Sequence, residues 1–124
     1  RGVADVRPEI ARLVADEDRS ASAYWAAVER FKNRRMTGEA LAQMVEGTIV
    51  PELQAARVRL EALDGVPPEH QPLVAGAEDY LRLREESWRL RAEGLRTTNM
   101  LKLRQAENQE RASLEALQKV TPVS

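Results

Sequence analysis

Val74, Leu81, Trp88 and Leu95 stand seven residues apart, and Ala77 falls three and four residues between the first two. At 3.6 residues per turn this spacing lays all five on one stripe, whereas a strand would scatter them over both faces. The segment therefore reads as a long helix that buries a seam against other helices. The same three-and-four rhythm runs through Ile10, Val14, Ala21, Tyr24, Val28 and Phe31, and again through Leu103, Ala106, Leu114, Leu117 and Val120. An apolar stripe needs a partner surface, and several stripes in one chain of 124 residues provide it for one another around a single core. With no cysteine available for a staple and aromatics at only 4%, that core rests on aliphatic packing between helices.

The breaks between stripes predict an all-α, antiparallel, up-down-up-down four-helix bundle spanning 1–124 as one domain, with helices at about 8–35, 38–63, 69–96 and 100–120. Pro8 suits a first helical turn, where its missing N–H costs nothing. Thr37 is the expected N-cap of the second helix, with Glu39 facing the positive end of its dipole. Leu41, Met44, Val45, Thr48, Glu52, Ala56, Leu60 and Leu63 are expected to share one face of that helix. Asp64-Gly65 followed by Val66-Pro67-Pro68 stops it, and Asn99 is the expected N-cap of the fourth. Short loops between such helices bring both chain termini to one end.

Pro51 interrupts the second helix, because an interior proline removes a hydrogen bond and collides with the carbonyl four residues earlier, here that of Gly47. A proline kink over Gly47-Thr48-Ile49-Val50-Pro51 is therefore expected. It serves either packing or the opening of a small pocket, and the loop register sets Gly47 opposite Trp25 as room for the ring. The same register places Tyr24, Thr48, Arg84 and Glu110 at one height on four seams. A buried guanidinium needs a carboxylate, so these four are expected to form a polar layer in which Arg84 contacts Glu110. Such a layer either fixes register or, with Arg91 two turns from Arg84, receives a small anion between the helices.

Chemistry-bearing patterns are otherwise missing from the sequence. His70 is the single histidine, the Glu-x-x-His pattern of di-iron bundles is absent, and no glycine-rich phosphate loop occurs. No metal, cofactor or catalytic residue is assigned, and the expected class is non-enzymatic. Asp16-Glu17-Asp18 reads as a solvated acidic run, although Glu17 falls on the seam. No apolar stretch reaches the roughly 20 residues of a membrane span, so this fragment is not expected to insert in a bilayer. The net charge is −1, but residues 28–44 and 86–108 carry nine basic and five acidic side chains, among them Arg30, Lys32, Arg34 and Arg35. This basic end either complements helix dipoles or meets a partner; without interleaved aromatics, nucleic acid is not that partner. Leu83 and Leu90 project away from the Leu81–Trp88 stripe and, if exposed, offer a face for a homodimer.

Tyr24-Trp25, the Thr37-Gly38-Glu39-Ala40 helix start, Ile49-Val50-Pro51 and the run Tyr80-Leu81-Arg82-Leu83-Arg84-Glu85-Glu86-Ser87-Trp88 resemble extramembranous helical domains attached to bacterial rhomboid family membrane proteins. The chain is also similar to helical bundles of bacterial envelope lipoproteins. Either resemblance implies an accessory domain at a membrane or cell envelope. No catalytic residue carries over, because the rhomboid Gly-x-Ser motif and its partner histidine lie on membrane helices; a lipoprotein's lipid-bearing cysteine is absent as well. Two functional expectations follow: an interaction or tethering domain with an unknown protein partner, or a ligand-sensing bundle that binds a small anion.

Overall fold

A computed structural model describes residues 5–120, and among them every regular element is helical. Helix α1 spans Arg7–Lys32. Helix α2 is continuous in three parts: α-helical Gly38–Met44, π-helical Val45–Ile49 and α-helical Val50–Glu61. A single 3₁₀ turn, Pro68–His70, leads into α3, Gln71–Thr97, and α4 follows as Met100–Gln118. The four helices form an antiparallel up-down-up-down bundle.

Local chemistry sets most of the boundaries. The Thr37 hydroxyl accepts from the Ala40 N–H at 3.0 Å, and the Asn99 side-chain oxygen Oδ1 accepts from the Leu101 and Lys102 N–H groups at 3.0 and 3.2 Å. Gly65 has φ 66°, which stops any continuation of α2. Helix α1 ends earlier than expected, at Lys32. Arg34 takes a left-handed conformation, φ 61°, and the Arg35 N–H turns back to the Arg30 carbonyl at 2.7 Å, a helix-ending turn made without glycine. Consecutive prolines hold residues 68–70 in a tight 3₁₀ turn, so α3 starts at Gln71 and not at 69.

The kink expected around Pro51 takes the form of the π segment directly before it. Val50 N–H bonds to the Val45 carbonyl five residues back, which takes up the disturbance that a proline imposes on the α pattern. The extra residue in this turn moves burial forward by one position locally, over residues 48–53, while Ala56 and Leu60 keep the expected face. Ile49 and Leu53 are therefore buried, while Thr48 and Glu52, the positions that an uninterrupted period selects, face solvent. Gly47 is not opposite Trp25: an added Cβ there would meet nothing within 4 Å, and Trp25 remains 47% exposed.

The helices approach one another unequally, and side-chain size explains it. Helices α3 and α4 are by far the closest pair. Gly76 lies under Val120, Gly94 under Leu103 and the Asn99 carbonyl, and the Ser87 hydroxyl donates to the Ala106 backbone carbonyl at 2.7 Å. Leu83 and Leu90 belong to the same stripe as Ser87 and Gly94, so they are half-buried toward α4 and do not form an exposed dimer face. Leu114, expected on the α4 seam, is 46% exposed, and Ser113 is buried beside it instead. Helix α1 stands farther from α3 because Tyr24, Tyr80, Arg84 and Trp88 fill the space between them.

These glycines give a paired test. Gly94→Ala should destabilise by about 1–2 kcal/mol, since crowding against Leu103 and a backbone carbonyl outweighs the roughly 1 kcal/mol gained from helix propensity. Gly47→Ala, with open space around it, should stabilise by about 0.5–1 kcal/mol. Urea titrations of the two variants would show opposite signs; the same sign for both would refute the close α3–α4 contact.

Candidate functional site

The middle of the bundle collects both tryptophans and both tyrosines of the chain around two arginines and two glutamates. The acid at its centre is Glu17 on α1, whose side chain is only 2% exposed. One of its oxygens, Oε2, accepts from Arg84 Nε and from Trp88 Nε1, each at 2.7 Å. Glu110 on α4 accepts from an Arg91 Nη at 2.9 Å and lies 3.8 Å from an Arg84 Nη. Each buried guanidinium thus has a carboxylate, and Glu110 links the two.

Aromatic rings close the cluster. Tyr24 meets Trp25 and Trp88 edge to face, at centroid distances of 5.0 and 4.9 Å. The Arg91 guanidinium lies 5.3 Å from the Trp25 ring, 5.4 Å from Trp88 and 5.8 Å from Tyr24. Its Nε is buried without a hydrogen-bond partner, and the negative faces of these rings are what compensates the cation there. Arg84 is placed similarly, 5.9 Å from both Tyr80 and Trp88.

Burial is the largest influence on the ionisation of both members of the central pair, and it opposes both charges. For Glu17 it prevails over the attraction of Arg84 and the Trp88 hydrogen bond, so the carboxyl sits above its ordinary range. For Arg84 the combined pull of neighbours led by Glu17 outweighs it, and the guanidinium holds its proton more firmly than usual. The arginine charge is the firmer of the two, since guanidinium does not lose its proton in proteins. Burial also raises both tyrosines, which stay neutral phenols.

Of the four residues expected in a polar layer, the structure brings together Tyr24, Arg84 and Glu110 and leaves Thr48 outside. Arg91, considered as a ligand-facing group, is buried among rings. Glu17 supplies the carboxylate that sequence reasoning gave to Glu110 alone. The signal for it was present: residue 17 follows Ile10 and Leu13 on the inward stripe and precedes Tyr24, but two flanking aspartates disguised it as a solvated run.

A groove of about 540 Å³ opens between α1 and α2 beside the π segment. Buried Leu13, Ile49 and Leu53 line it with Glu17 behind, and the Ser20 hydroxyl donates across to Glu52 at 3.0 Å. Neither Arg84 nor Arg91 lines it. Among the described residues no three His, Asp or Glu side chains are grouped as a metal would require, and no helix is long and apolar enough to cross a membrane. His70 is half-buried, its Nδ1 3.9 Å from Asp5. At the basic end, Arg30, Lys32, Arg34 and Arg35 are all exposed. The chain matches no family model, no curated protein and no solved structure to which it was compared.

Proposed function

We propose that this chain is a non-enzymatic interaction or tethering domain, an accessory helical module of a larger, membrane-associated bacterial protein. The observation that carries this reading is the closure of the central cluster: Glu17 and Glu110 neutralise Arg84 and Arg91, and the rings of Tyr24, Trp25 and Trp88 cover the second guanidinium. A charge network satisfied by its own members organises a core and holds helix register. What is left to engage other molecules is the outside of the bundle.

The second reading, a sensor for a small anion, would require Arg84 or Arg91 to release its glutamate. Thermal unfolding separates the two. Phosphate, sulfate or a small dicarboxylate at millimolar concentration should leave the Tm where sodium chloride of equal ionic strength leaves it. A saturable rise in Tm that disappears in Arg91→Gln would make the sensor the better account, because a ligand of the native state must stabilise it.

A further inference from the structure

We infer that the partner surface of this domain is the end of the bundle built from the α1–α2 and α3–α4 loops, and that it takes an acidic protein segment with apolar side chains set among its carboxylates. This rests on the interaction-domain reading and adds the surface and the chemistry of the partner to it.

Short contacts hold that end together as one platform. A Cβ added at Gly38 would lie 3.2 Å from the Leu95 backbone carbonyl and against the Phe31 ring, and one added at Gly94 would press on Leu103 and the Asn99 backbone carbonyl, so the backbones meet closely here. Arg96 ties α3 to α2 through Glu39 and Glu46. On this platform stand three of the six large apolar side chains exposed among the described residues: Phe31 at 39%, Met100 at 67% and Leu101 at 61%. Around them Arg34, Arg35 and Arg104 are exposed and take part in no ion pair among the described residues. Of the five acids of this end, four are already engaged, Glu29 by Lys32, Glu93 by Lys102, Glu39 by Arg96 and Glu86 by Arg82, and Glu107 is exposed without an ion pair among the described residues.

Arginine, methionine and phenylalanine are the residues that protein interfaces enrich, and a guanidinium grips a carboxylate with two parallel bonds. The backbone adds an independent sign. Among the described residues both non-glycines with positive φ, Arg34 at 61° and Thr98 at 51°, lie in the two loops of this end, whereas the loop at the opposite end uses Gly65. Fold stability alone favours glycine at such a position. Arg34 at this position puts an exposed charged side chain at the α1–α2 turn, in keeping with strain held at working surfaces. The charges are few, and at physiological salt, where screening sets in beyond about 8 Å, carboxylates held in direct contact are favoured over a diffuse lipid surface.

The probe is a short synthetic helix with leucines on one face and glutamates beside them, titrated into the isotopically labelled full chain. Backbone shifts should concentrate at residues 30–38 and 98–104, and the affinity should fall by at least about tenfold in Arg34→Glu/Arg35→Glu and by severalfold in Leu101→Ser. A serine-for-leucine version of the helix should bind more weakly, and phosphatidylserine vesicles should leave the domain free. Because these substitutions are at exposed positions, circular dichroism should show each variant folded. Absence of peptide binding, binding indifferent to the variants, salt-sensitive vesicle binding lost in the double arginine variant, or a concentration-dependent dimer mass would each overturn the assignment. Anion-dependent stabilisation through Arg91 would instead remove the underlying functional reading, so the two failures are distinguishable.

Discussion

Replacing Glu17 by alanine is expected to destabilise the protein by about 3–5 kcal/mol, more than any surface charge in the chain could. The loss arises on the other side of the pair. Arg84 has a side chain 7% exposed, and without Glu17 its nearest carboxylate is Glu110 at 3.8 Å. Trp88 Nε1 loses its acceptor at the same time. Urea unfolding of Glu17→Ala, Arg84→Met and the Glu17→Leu/Arg84→Met double variant checks the mechanism. The double variant should recover most of the stability lost by Glu17→Ala, since removing both charges leaves none stranded. A Glu17→Ala loss below about 1 kcal/mol, or a double variant worse than both single ones, would show that the pair is not the buried contact described.

Trp88→Ala should cost a similar amount, about 3–5 kcal/mol, because the ring is 3% exposed and its removal leaves a void between Tyr24, Arg84 and Arg91. Trp88→Phe isolates the polar share. It keeps most of the packing and gives up the bond to Glu17, a hydrogen bond to a charged group worth about 1.5–3 kcal/mol. Trp25→Ala provides the contrast: with the ring 47% exposed, the loss should be about 1 kcal/mol, chiefly its contact with Arg91. Equal costs at the two tryptophans would contradict the difference in their burial.

The residues that the sequence pattern misplaces have three separate causes. An unbroken α period places Thr48 and Glu52 inward, and the π turn at Val45–Ile49 moves burial to Ile49 and Leu53 instead. A single buried stripe on α3 leaves Leu83 and Leu90 outside, whereas α2 and α4 cover that helix from two directions. Glu17 was hidden by the charges beside it.

What the sequence by itself determined is the class and the connectivity. The heptad-spaced seam through Val74, Leu81, Trp88 and Leu95, the capping residues Thr37 and Asn99, and the stop at Gly65 through Pro68 are local signals, each acting within a turn or two of its own helix. The pairing of Glu17 with Arg84 joins residues 67 positions apart, and the exposure of Thr48 depends on how α2 winds past its proline. Only the tertiary structure decided those. Charge burial and helix rotation are properties of the assembled helices, because the same arginine is a solvated surface group or a desolvated cation in need of a partner according to which neighbours arrive beside it.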